Sequence, residues 1–213
     1  MGPAKPLEPT SNDKPVFFLL AGPNGAGKST LYKAQVLAGT ISPDAEFVNA
    51  DLYEAANLQH ISDPKARSEQ ARLWADARRA QLLQAGQSFV SETVFSHTSK
   101  LALIAEAQAQ GFFVMLLVVA LDDPAQLLER VTRRVTEGGH PVPTQRILER
   151  YPRTLANLTQ AVRQSDAAVL YDSHDSLPDT QTAVALCKGT WTQELVVPLP
   201  AWAQQVLGQK LGA

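Results

Sequence analysis

Residues 20–31 read LAGPNGAGKSTL, and this stretch restricts the fold more than any other part of the chain. Gly22, four residues, then Gly27-Lys28-Ser29 is the Walker A pattern, which works only as a turn between a buried strand and a helix. Glycines let the backbone curl until several N–H groups point inward at a phosphate chain, and the positive end of the helix dipole adds to the attraction. The flanks agree. VFFLL, Val16 to Leu20, is a continuous apolar run of the kind buried on both faces, and a helix is expected from Lys28 to about Ala38. Gly22, Pro23, Asn24, Gly25, Ala26, Gly27, Lys28, Ser29 and Thr30 are therefore the candidate nucleotide-binding residues. Lys28 is expected to reach the β/γ-phosphates and the Ser29 hydroxyl to bind Mg²⁺. No Asn-Lys-x-Asp guanine reader occurs, so ATP is the expected nucleotide. The motif by itself does not separate a kinase from an ATP-driven switch, and a glycine-rich turn with no nucleotide is the bland alternative.

The rest of the chain alternates strands and helices, which predicts an α/β fold. Strands are expected at EFVNA (46–50), SFVSETVF (88–95), FFVMLLVVAL (112–121, central) and AAVLYDS (167–173). Helices are expected from Asp63, its cap, to Gly86; at SKLALIAEAQAQG; at DDPAQLLERVTRRVTEGG; and at PTQRILERYPRTLANLTQAVRQS, kinked at Pro152. In the first of these, Leu73, Trp74, Ala77, Ala80 and Leu83 recur at helical spacing and predict one buried stripe. The last forty residues suggest a strand at TAVALCKG, a partner at TQELVVPL and a closing helix at PAWAQQVLGQ. The expected architecture is a mainly parallel sheet with helices on both faces, a helical lid over about 123–160, and a C-terminal strand pair and helix. Residues 1–15 read as a flexible tail and 16–213 as one domain.

Composition excludes several classes. Nineteen basic against twenty-one acidic side chains give a net charge of −2, which removes the usual electrostatic footprint of a nucleic-acid binder but leaves a local basic cleft, and a nucleic-acid end as acceptor, open. Cys187 is the single cysteine, so no internal disulfide or cysteine metal site is expected, and a plain buried thiol is the reading. The longest apolar run, Phe112 to Leu121, is far too short to cross a bilayer. The N-terminal stretch lacks a signal-peptide core, and a cytoplasmic protein is expected.

In a doubly wound sheet, ligands sit outside the carboxyl ends of the strands. Three acidic residues meet that condition. Glu92 ends the third strand and is the candidate for the carboxylate that contacts Mg²⁺; Thr93 and Ser96 beside it could donate to a substrate. Asp122, in Asp-Asp-Pro before a helix, reads as a helix cap. Asp51 has two readings: a cap with Glu54 completing a capping box, or a base that accepts a proton during phosphoryl transfer to a hydroxyl. The two do not exclude each other.

Between Glu129 and Arg153, Arg130 and Arg134 share one helix face, and Arg146 and Arg150 share another. A Gly-Gly-His-Pro turn joins them. Arginines that close over a triphosphate stabilise the transferring phosphoryl group and exclude water. The competing reading is two solvated helix faces with Glu129, Glu137 and Glu149 as partners. His140 could bond within the turn or touch a phosphate.

Taken together, GPNGAGKST, FVNAD, SETVFS, RVTEGGHPVP, RYPRTLANL and YDS resemble the zeta-toxin family in order and spacing, and most closely its short single-domain bacterial relatives. The resemblance implies a P-loop kinase fold using ATP and Mg²⁺. It implies phosphorylation of the 3′-hydroxyl of the N-acetylglucosamine in UDP-N-acetylglucosamine, and a small helical antitoxin as inhibitor. It assigns Lys28 and Ser29 to the phosphate loop, Asp51 to the catalytic base of an Asn-x-Asp segment, and Glu92 with Thr93 to the substrate-site pair, so Asn49, Glu92, Thr93 and Ser96 are the candidate substrate-binding residues. Arg134 and Arg150 take the lid positions. GGHPVP departs from the lid of the toxins proper, which leaves the phosphate acceptor open.

Overall fold

The computed structural model describes residues 14–136, 144–173 and 180–208. The element order is β1 (Val16–Ala21), α1 (Lys28–Leu37), β2 (Glu46–Val48), α2 (Ala50–Asn57), α3 (Pro64–Gln84), β3 (Phe89–Thr93), a 3₁₀ turn (Thr98–Lys100), α4 (Leu101–Ala109), β4 (Phe113–Ala120), α5 (Pro124–Thr136), α6 (Thr144–Gln164), β5 (Ala167–Asp172), β6 (Thr182–Lys188), β7 (Trp191–Glu194) and α7 (Ala201–Leu207). The strands form one seven-stranded sheet in the order β2-β3-β1-β4-β5-β6-β7. β1 to β5 are mutually parallel, and β6 and β7 add an antiparallel edge. β4, the most apolar strand, lies in the middle, as its composition predicts.

Alternation along the strands divides the core in two. Phe17, Leu19 and Ala21 of β1 join Val114, Leu116, Val118 and Ala120 of β4 on one face, covered by residues of α3, α4, α6 and α7. Leu20, Leu117 and Val119 point to the other face, where Leu31 of α1 and Leu127 and Val131 of α5 cover them. Helices therefore lie on both faces. Because β1 to β5 run parallel, their carboxyl ends share one edge of the sheet, and the chain leaving each of them converges there.

Several local expectations are corrected. β2 stops at Val48 instead of running to residue 50, because Asn49 already caps α2 by accepting a hydrogen bond from the Leu52 amide. The cap is therefore Asn49, and Asp51 sits in the first turn of the helix. Glu54 makes no capping box: it is buried and reaches α3, where the Ser68 hydroxyl donates to it at 3.0 Å and Arg67 lies 3.5 Å away. Asp63 caps α3 as expected. The buried stripe of α3 is Ala71, Ala75, Arg79, Leu82 and Leu83; Leu73 and Ala77 are exposed. The helix turns a charge inward. Arg79 donates to Ser91 at 3.3 Å and also holds Asp76, so a stripe counted in apolar letters is displaced. Trp74 instead stacks on Tyr53 of α2, centroids 3.9 Å apart. The partner of β6 ends at Glu194, short of the expected TQELVVPL. α6 spans Thr144–Gln164 with Pro152 inside it, as expected.

Asp122 is the clearest change. The cap of α5 is Asp123, which accepts from the Ala125 amide at 2.9 Å. Asp122 turns to the distant end of the chain and caps α7, accepting from the amides of Ala201 at 3.0 Å and Trp202 at 2.6 Å. Cys187 is buried, and burial pushes its thiol pKa up, consistent with an inert side chain.

Candidate active site

The phosphate loop leaves β1 at Ala21, in the middle of the sheet. Its glycines are needed for space. Gly22 has φ +151°, and a Cβ there would lie 2.0 Å from the Val119 carbonyl oxygen of β4; at Gly25, φ +83°, it would lie 2.7 Å from the Leu127 carbonyl of α5. Only bare backbone fits between those two elements. Gly27 ends the loop in the left-handed conformation as the N-cap of α1 and has no side chain to cap it, and among the described residues no other side chain accepts from its opening amides. The opening N–H groups of α1 thus keep their capacity for an anion.

Lys28 follows, with only 6% of its surface exposed. Its ammonium donates to the carbonyls of Gly22 at 3.0 Å and Pro23 at 3.1 Å, and stands 3.5 Å from Glu92 Oε1. The other Glu92 oxygen, Oε2, accepts from the Ser29 hydroxyl at 3.4 Å and from the Asn49 carboxamide at 3.0 Å. Residues from α1, the end of β3 and the end of β2 therefore converge on one carboxylate. β3 can deliver Glu92 there because its register pairs Leu20 with Glu92 and Ala21 with Thr93, and Gly22 extends the pairing by donating to the Thr93 carbonyl at 3.4 Å.

The remaining sequence candidates fall around this cluster. Asp51 is exposed, two residues beyond Asn49, and makes no ion pair or side-chain hydrogen bond among the described residues. Ser29 is exposed and Thr30 half-buried. The Thr93 hydroxyl accepts from the Phe95 amide at 3.3 Å, and Ser96 is half-buried in the turn that follows. The lid arginines are less uniform than their spacing suggests. Arg130 donates to the hydroxyl and, at 2.6 Å, to the carbonyl of Ser173, clipping α5 to the end of β5. It is occupied within the fold. Arg146 is exposed and Arg150 half-buried, and neither has an ion pair among the described residues. The Arg134 side chain and all of His140 lie outside the described residues.

Two residues near the site were assigned no role from the sequence, although Asn157 lies within the RYPRTLANL motif. Asn157 of α6 donates to the Phe95 carbonyl at 2.8 Å and so holds the turn after β3, where buried Phe95 adopts φ +57°. The Gln181 carboxamide nitrogen lies 2.8 Å from the point where a Cβ on Gly27 would be. Neither is legible from sequence, because each acts across more than sixty residues.

The donor set suits a hard divalent cation. A hydroxyl and a carboxylate, Ser29 and Glu92, are both oxygen ligands, and the described residues hold no group of three or more His, Cys, Asp or Glu able to bind a metal. Mg²⁺ prefers this sparse arrangement, taking one or two protein oxygens and completing its shell with water and substrate phosphates.

A central parallel sheet, a Walker A loop between β1 and α1, and an acidic residue on the neighbouring strand define a P-loop kinase fold. The family model for zeta toxin matches residues 3–177. The chain belongs to the zeta toxin family. Among solved structures it is similar to a chain of the AvrRxo1-ORF1:AvrRxo1-ORF2 complex with sulphate ions, at TM-score 0.66 and 18% identity, covering 86% of this chain and 62% of that one. The same complex with ATP gives TM-score 0.66 and 18% identity, with 86% and 61% covered. The PezAT chromosomal toxin–antitoxin system of Streptococcus pneumoniae gives TM-score 0.59 at 13% identity, over 91% of this chain and 77% of that one. At such identities the likeness establishes the fold. The chain spans about three fifths of the length of the AvrRxo1 complex chain it matches. No curated protein matches.

Proposed function

We propose that the protein is an ATP-dependent kinase that transfers the γ-phosphate to a hydroxyl of a small molecule, with residues 16–213 acting as one catalytic unit. The observation that carries this reading is the convergence of Lys28, Ser29 and Asn49 on Glu92 at the uncapped start of α1. Membership of the zeta toxin family and likeness to a complex solved with ATP support it. The loop amides from Gly22 to Thr30 hold the phosphate chain. Lys28 exchanges its contacts with the two carbonyls and with Glu92 for phosphate oxygens. Mg²⁺, held by Ser29 and Glu92, would offset charge on the phosphates. Asp51, exposed at the start of α2, orients the acceptor hydroxyl and takes its proton as the new O–P bond forms and the bond from the γ-phosphorus to ADP breaks. Thr93 and Ser96 line the acceptor side, and Arg134 and Arg150 approach the transferring group from the lid.

UDP-N-acetylglucosamine is the first acceptor to test, and a small antitoxin the partner to look for, since PezAT is a toxin–antitoxin system. No helix among the described residues is long and apolar enough to cross a membrane. Incubation with ATP and UDP-N-acetylglucosamine, followed by mass spectrometry, is expected to show one added phosphate on the sugar nucleotide. Its absence, with ATP still bound, would discard that acceptor and leave the class of reaction to the wider screen described below.

A further inference from the structure

The Asn49 side chain stands out once its partners are counted. It is 7% exposed and tied at both ends: Oδ1 accepts from the Leu52 amide at 3.1 Å and Nδ2 donates to Glu92 at 3.0 Å. One N–H and one lone pair stay uncommitted, but each end of the carboxamide is already tied into the fold. Its two bonds join two parts of the site. One end fixes the start of α2, whose second residue is Asp51. The other grips the carboxylate beside Lys28 and Ser29. β2 is a three-residue edge strand, and it is reinforced just here. The Ser91 hydroxyl donates to the Val48 carbonyl at 3.1 Å, one residue before Asn49 and one before Glu92.

Glu92 has three described partners: Lys28, Ser29 and Asn49. On the kinase reading, a bound nucleotide would draw Lys28 to its phosphates, and Mg²⁺ would be held in part by the Ser29 hydroxyl. Only the carboxamide then remains. We propose that Asn49 is a positioning residue that holds Glu92 in its metal-binding place when nucleotide is bound and sets it against the helix that carries Asp51. This inference rests on the kinase reading above. It assigns Asn49 no contact with substrate; it acts through Glu92.

The test separates the cap from the grip. Serine and threonine both cap helices, so Asn49→Ser and Asn49→Thr keep an acceptor for the Leu52 amide and lose the donor to Glu92. ATP affinity is measured by calorimetry with and without Mg²⁺ for wild type and both variants, beside thermal melts. Metal-free ATP affinity is expected to match wild type, because the loop amides and Lys28 are untouched. The gain in affinity on adding Mg²⁺ is expected to fall about tenfold or more, the scale of a hydrogen bond to a charged group. An undiminished Mg²⁺ gain in a folded variant overturns the proposal. So does the unfolding of both variants, which would make the bond from Asn49 to Glu92 a structural tie. Absence of any Mg²⁺ gain in the wild type is a different failure: it removes the metal role of Ser29 and Glu92, on which the inference stands.

Discussion

Lys28 has three N–H donors and three acceptors around them, the carbonyls of Gly22 and Pro23 and the Glu92 carboxylate. A buried ammonium is thereby kept satisfied in the free protein, and a nucleotide has to offer phosphate oxygens of equal quality to draw it away. Tyr151 shows the same economy at the neighbouring strand end. Its phenol donates to the Leu121 carbonyl at 2.6 Å. Burial first, then the carboxylates of Asp122, Asp172 and Asp123, push its pKa from the ordinary 10 up to about 12. The folded pKa is raised, so folding favours the neutral phenol. The stabilisation is complete below about pH 10, where an unfolded tyrosine is neutral, and is lost as pH rises through the folded value near 12. Tyr151→Phe should therefore flatten the loss of stability between about pH 10 and 12 and cost about 1 kcal/mol at neutral pH. Urea melts at about pH 8 and about pH 11 measure both. Tyr171, also raised by burial, leaves some slope behind. An unchanged alkaline slope in the variant would contradict the assignment.

Among elements, α7 is the most dependent on a single remote side chain. It has seven residues, too few to be stable alone, and it buries Trp202, Ala203 and Val206 in the core. Asp122 satisfies two of its opening amides, and Asp172 accepts from the Trp202 indole at 2.8 Å. Asp122→Ala should cost about 1–2 kcal/mol in chemical denaturation, and Asp122→Asn, which keeps one of the two acceptor oxygens, should cost less. Equal loss in both would mean that charge, not capping, is what matters. The local Asp-Asp-Pro signal did mark a helix start, but the adjacent Asp123 serves it. Which of two aspartates caps the next helix and which reaches across 80 residues depends on tertiary contacts. α3 makes the same point. Its ends were legible because Asp63, Pro64 and Gly86 are local signals, whereas its inward face was not, because Arg79 reverses the rule that apolar letters mark the interior.

At the scale of the whole molecule, the parts that were legible are those set by short-range chemistry. GPNGAGKST between an apolar run and a helix determines the loop, and the alternating pattern determines a parallel sheet with β4 at its centre. Glu92 was legible as well, since it ends a strand that has to lie beside the loop. What the spacing of letters could not supply is the pairing of side chains over distance: Arg130 with Ser173, Asn157 with the Phe95 carbonyl, and Asn49 with Glu92. The lid arginines appeared equivalent by spacing, yet one is spent inside the fold. The sheet brings the ends of β1, β2 and β3 to one edge, and the function proposed depends on chemistry occurring at that edge with Asp51 as base. The most direct test uses ATP labelled at its γ-phosphate and a mixture of small metabolites, comparing wild type with Asp51→Ala. The prediction is a labelled small molecule whose hydroxyl has become a phosphate ester, formed roughly 10²- to 10⁴-fold more slowly by the variant. Equal transfer by the two proteins, or tight ATP binding with no labelled acceptor at all, would contradict it.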